Sequence, residues 1–154
     1  MSRYAEKTDV TSELSRREIE RTLLRYGATG FIYGWQGASA VVAFEMWNRR
    51  IKFVLPLPDK RAREFTHTAG RGSPRNQEGA EAAWEQGCRQ RWRALSLAIK
   101  AKLEAVASEI TSFEEEFLAH IVLPNGSTAG AWMVPQIEGA YSQNKMPPLL
   151  GYSQ

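Results

Sequence analysis

Three runs decide the fold: Gly30-Phe31-Ile32-Tyr33-Gly34-Trp35, Ala40-Val41-Val42-Ala43-Phe44-Glu45-Met46-Trp47 and Arg50-Ile51-Lys52-Phe53-Val54-Leu55-Pro56-Leu57. Each alternates with period two, as one-side-buried strands do. Phe31, Tyr33 and Trp35 share a side. Val42, Phe44 and Met46 share the next, and Ile51, Phe53, Leu55 and Leu57 the third. Gln36–Ser39 reads as a turn and Asn48-Arg49 as a tight turn. Three consecutive strands with short links predict an antiparallel meander.

Outward from the meander the period changes to that of helices. Ser15-Arg16-Arg17-Glu18 has the form of a capping box, and Ile19, Leu23 and Tyr26 follow at helical spacing up to Gly27. This predicts an N-terminal helix over 16–26, preceded by a flexible N-terminal arm over 1–14. Residues 58–80 break every period. They read as a mobile basic loop carrying Lys60, Arg61, Arg63, Arg71 and Arg75. From Glu81 to Ser108 the residues Trp84, Cys88, Trp92, Leu95, Ile99, Leu103 and Val106 form one apolar stripe of a long helix. Gly87 is its weak spot. Ala94, Ala98, Ala101 and Ala105 line its back and leave room for a second element. Ser112-Phe113-Glu114-Glu115 opens a short helix through Phe117 and Ile121. Thr128–Ser142 reads as a last helix that Pro135 splits or kinks, with Trp132, Ile137 and Tyr141 as its apolar contacts. Residues 146–154 read as an extended C-terminal tail. The fold class is α+β. A three-stranded antiparallel meander has a long helix packed on one face, plus an N-terminal helix and short C-terminal helices, in a single domain over 15–145.

The chain has 154 residues and a net charge of +3. Residues 1–103 hold nineteen Lys and Arg against eleven Asp and Glu, and residues 104–154 hold Lys145 against six Glu. A basic front and an acidic rear are hidden in the total. The single cysteine, Cys88, excludes an internal disulfide and fits a reducing, cytoplasmic setting. No run is apolar enough for a membrane span or an N-terminal signal.

Candidate chemistry is sparse. His67 and His120 lack partners at ligand spacing, so no metal or other cofactor is expected. Cys88 lies on the apolar stripe, where a thiol packs rather than reacts. Gly70-Arg71-Gly72 lacks the Gly-Lys-Ser/Thr ending of a phosphate loop. No catalytic set emerges, and the chain reads as a non-enzyme.

The basic, aromatic hairpin and loop carry the leading reading. Trp47 beside Arg49, Arg50 and Lys52, followed by Lys60, Arg61 and Arg63, has the composition of a strand-binding groove. Cations would meet phosphates and an indole would stack on a base. DNA or RNA is the partner this implies. The plainer reading has Trp47 in the core and the arginines as a solvated face. The other functional reading is a protein-interaction module that inhibits or modulates a host or phage protein. Its contacts would be the last helix or the Pro147-Pro148-Leu149-Leu150 tail.

Several segments together resemble a family of uncharacterised proteins of bacteriophages, prophages and related mobile elements. They are Ser15–Glu20 with Arg25–Ala28, Val54-Leu55-Pro56-Leu57-Pro58, Arg91–Leu95 with Ile99–Glu104, Phe113–Ala119, and Met146–Leu150. The resemblance covers roughly residues 4–150. It implies a mobile-element setting near DNA processing and transfers no catalytic residues. A meander followed by a long helix is also similar, in topology alone, to the core of single-strand annealing proteins.

Overall fold

The computed structural model describes residues 3–146; of the tail expected over 146–154, all but Met146 lies outside them. The element order is α1 (Arg3–Arg25), β1 (Gly30–Gln36), β2 (Ser39–Met46), β3 (Arg49–Pro56), α2 (Arg63–Thr66), α3 (Gln77–Ala107), α4 (Phe113–Glu116), a 3₁₀ turn (Leu118–His120) and α5 (Ala129–Gln143). The strands form one antiparallel sheet in the order β1-β2-β3. The α+β meander with its long helix is the arrangement the periodicities imply.

The inner face is the one the alternation assigns. Val42, Phe44, Met46, Ile51, Phe53 and Leu57 are buried, and Phe31, Tyr33 and Trp35 are half-buried against them. Above them lie α3, through Trp84, Cys88, Trp92, Leu95, Ile99 and Leu103, and α1, through Ile19 and Leu23. The two helices run side by side. Tyr26 Oη donates to Glu104 Oε1 at 2.6 Å where they end. Phe113 and Phe117 close the core at the far end of the sheet.

Five features differ from the sequence reading. Helix α1 begins at Arg3, so the segment expected as an arm is helical and Ser15 lies within the helix rather than capping it. A Glu13–Arg17 ion pair of 2.7 Å, one helical turn apart, bridges that position. Helix α5 is continuous through Pro135. The back of α3 at Ala94, Ala98 and Ala101 is exposed among the described residues. The β2–β3 turn is Trp47-Asn48, one residue earlier than expected. Both residues have positive φ, at 51° and 59°. That is the pattern of a two-residue hairpin whose twist matches its strands, and it removes Trp47 from the strand.

The fifth difference is also the largest. Residues 58–76 are an organised connection. Arg63–Thr66 forms one helical turn whose Phe65 is buried. His67 and Pro74 bridge, with Thr68 N donating to Ser73 O and Arg75 N to Thr66 O, each at 2.8 Å. Helix α3 begins at Gln77, where Asn76 accepts from Gly79 N at 2.7 Å. The glycine that looks weak in the helix makes this possible. A Cβ at Gly87 would stand 2.8 and 2.9 Å from the Phe65 ring. Gly87→Ala is therefore expected to lower the melting temperature. Overpacking costs about 1–3 kcal/mol, against a helix gain of about 1 kcal/mol. A thermal unfolding scan reads the difference.

Candidate nucleic-acid interface

Trp47 is 64% exposed, its indole resting on Phe113 at 5.2 Å between ring centroids. The tight turn makes it protrude. A left-handed backbone costs a bulky side chain about 1–2 kcal/mol, and the ring contact offsets part of this. The plainer reading of Trp47 as core therefore fails.

The cations around Trp47 are engaged by carboxylates. Arg49 pairs with Glu114 at 3.2 Å, and Arg50 pairs with Glu45, its cross-strand neighbour, at 3.0 Å. Lys52 sits half-exposed on the outer face of the sheet, opposite Ala43. Helix α4 brings Glu114, Glu115 and Glu116 to this end of the molecule, so the surroundings of Trp47 are more acidic than its own hairpin suggests.

Lys60, Arg61 and Arg63 lie beyond the opposite end of β3. Eight residues of strand separate them from Arg49, a span of about 25 Å. The structure therefore does not bring the seven candidate residues into one groove. Lys60 is 3.5 Å from Glu81, and its ammonium lies 4.7 Å from the Trp84 ring centroid. Arg61 and Arg63 are exposed, and so is Arg71. None of the three has an ion-pair partner among the described residues.

The bridged turn at 67–74 brings the next basic segment back to α2. A Cβ at Gly72 would lie 3.3 Å from Arg63 Nη2. Arg75 braces the turn from within, its Nη1 donating to Glu64 O and Phe65 O at 3.3 Å. Arg71 thus lies in the chain beside the residue that Arg63 approaches, and Arg61 precedes Arg63 by two residues. Sequence reading placed it in the same loop but had no means to see the turn that returns it to Arg63.

The remaining reactive side chains are structural. Cys88 is fully buried, and burial pushes its thiol up to about 11, with Glu85 adding to the effect. His120 stacks on Phe53 at 4.0 Å. Burial first, and then the Lys102 ammonium, hold its imidazole below the ordinary range. Cys88 and Lys102 are fourteen residues apart on α3, about 21 Å, so Cys88 and His120 form no dyad. Among the described residues no group of three or more His, Cys, Asp or Glu side chains could hold a metal ion. No described helix is long and apolar enough to cross a membrane.

The depressed His120 makes stability depend on pH. The unfolded chain takes up the proton first as pH falls, so the stabilisation is complete above the ordinary imidazole range and erodes on acidification through it. His120→Phe keeps the stack and removes the titration. Urea midpoints taken above and below that range should converge for the variant relative to the wild type.

Helix α5 is the other surface of note. Only Ala129 is buried, and the helix leaves the body on one close approach, where a Cβ at Gly130 would stand 2.8 Å from Ala119 O. Trp132, Val134, Ile137 and Tyr141 are exposed, the last at 86%. Met133, Ile137, Tyr141 and Met146 line an open groove of about 490 Å³. The residues expected as this helix's apolar contacts are therefore its solvent-facing ones. Comparison with protein-family models, curated proteins and solved structures gives no match.

Proposed function

We propose that the chain binds nucleic acid through the arginine surface of the α2–α3 connection. In this reading it is an accessory, non-catalytic protein of replication or recombination in a bacteriophage or mobile element. The observation that carries it is the braced turn that returns the chain at Arg71 and Gly72 to Arg63, with Arg61, Arg63 and Arg71 all exposed and without carboxylate partners among the described residues. Guanidinium groups suit phosphates through their planar, forked donors. A braced turn also loses less conformational freedom on binding than a mobile one. Lys60 and Lys52 lie nearer this surface than Arg49, Arg50 and Trp47 do. The setting rests on the resemblance described above.

The test is fluorescence anisotropy with labelled single-stranded and duplex oligonucleotides over a salt series. Binding should weaken linearly on a logarithmic scale as counterion release loses its advantage. Absence of binding to either probe at low salt overturns the reading.

The exposed apolar flank of α5 favours a second reading, a module that docks on and modulates a host or phage protein. A helix apolar on most sides is ordinarily covered. Stoichiometric co-purification of a protein that survives nuclease treatment and is lost in Ile137→Asp would support it.

A further inference from the structure

We propose that the edge of β1 facing away from β2 pairs with β1 of a second copy of this chain, antiparallel about Tyr33, joining two three-stranded sheets into one of six. Among the described residues no strand or β-bridge lies on that edge. By contrast the outer edge of β3 is met by Ile121 and Val122, with Val122 N donating to Arg50 O at 2.8 Å. The seven residues of β1, Gly-Phe-Ile-Tyr-Gly-Trp-Gln, include no charge and no proline. Those are the devices by which monomeric sheets keep their edges from pairing. The aromatic row Phe31, Tyr33 and Trp35 is also left only half-buried at this margin of the core.

The occupant is set by self-complementarity. Two-fold pairing about Tyr33 puts Phe31 across from Trp35 of the other copy, so the aromatic row continues through the axis on the inner face. On the outer face it puts Ile32, which is 61% exposed, across from Gly34. The bulky side chain then meets the position that has none, and the same contact is made twice, as an isologous interface requires. Opposed positions in a ladder interact directly, so charges placed at 32 and 34 report on the register. A Cβ at Gly34 meets nothing within 4 Å, so the site accepts a side chain within the monomer.

The test is light scattering with size-exclusion chromatography on the full chain at micromolar concentrations. The wild type is expected at twice the chain mass of 17.4 kDa. The double variant I32K/G34K opposes lysine to lysine twice and is expected at half the wild-type mass. I32K/G34E opposes lysine to glutamate in the same register and is expected to regain the doubled mass, which guards against a fold defect in the first variant. A single-chain mass for the wild type overturns the proposal. So does a doubled mass that persists in I32K/G34K, since association would then run through another surface such as α5. Failure of I32K/G34E to re-associate overturns the register.

Discussion

Trp84→Ala is expected to lower the unfolding free energy by about 3–5 kcal/mol, the range for deleting a large aromatic side chain from a core. Trp84 is fully buried, and its indole Nε1 donates to Pro58 O at 2.9 Å. Alanine there leaves a cavity between α3 and the start of the basic connection. It also leaves a buried carbonyl without its donor. Trp84→Phe keeps most of the volume and surrenders the indole hydrogen bond, and should cost about 1–2 kcal/mol. Trp92 supplies the contrast. It is equally buried, but its Nε1 has no hydrogen-bond partner among the described residues, and its ring packs on Tyr33 at 5.6 Å. Trp92→Phe should therefore cost less than Trp84→Phe, because no bond is surrendered. Urea unfolding followed by circular dichroism reads all three. Trypsin adds a local readout, since faster cleavage at Arg61, Arg63 and Arg71 in Trp84→Ala marks release of the connection. A Trp84→Ala midpoint within experimental scatter of the wild type would sink the claim that this indole anchors it.

The triple variant R61A/R63A/R71A is expected to lose about a hundredfold in affinity for single-stranded DNA near 0.1 M salt. Each phosphate contact contributes about 0.7 to the logarithmic salt slope on a single strand, so three contacts account for about 2. The wild-type and variant lines should then converge near 1 M salt and diverge as salt falls. R49A/R50A is the control. Those guanidinium groups are held by Glu114 and Glu45 at the other end of β3, so their removal should leave the slope unchanged. Both variants alter exposed side chains and should keep stability within about 0.5 kcal/mol of the wild type. Equal losses in the two variants would count against the arginine surface and for diffuse attraction.

The sheet and the long helix were legible because their patterns are redundant. Three alternating apolar positions in β3 and six buried apolar positions in α3 each repeat the same message, and one misplaced residue alters neither. Trp47 shows where redundancy ends. A turn at Asn48-Arg49 makes Trp47 the last residue of β2 and sets it opposite Arg50. A turn at Trp47-Asn48 instead sets Glu45 opposite Arg50. The choice rests on two backbone angles that propensity for tryptophan disfavours, and it decides whether that arginine is available. The carboxylate on Arg49 comes from Glu114, sixty-five residues away, which no local pattern announces. The order of the α2–α3 connection depends on one ring seated against a glycine three turns into a helix. That is a tertiary contact, and locally Gly87 and Phe65 read as a weak helix position and a loop residue. Helix α5 misled in the opposite sense. Its apolar residues predict burial, and no partner that buries them stands among the described residues.

The peptide groups of α3 make the helix an electric dipole. Arg61, Arg63 and Arg71, without ion-pair partners among the described residues, lie where the helix begins, and Glu109, Glu114, Glu115 and Glu116 just beyond where it ends. The aligned peptide groups of a 31-residue helix point the same way, positive at the arginine end. The helix dipole therefore favours a polyanion at the arginine end over one at the Trp47 end. Two copies joined at β1 by a two-fold axis would add or cancel these moments according to their tilt. Electric birefringence would thus separate an assembly that presents both arginine ends to one strand from one that presents them to two.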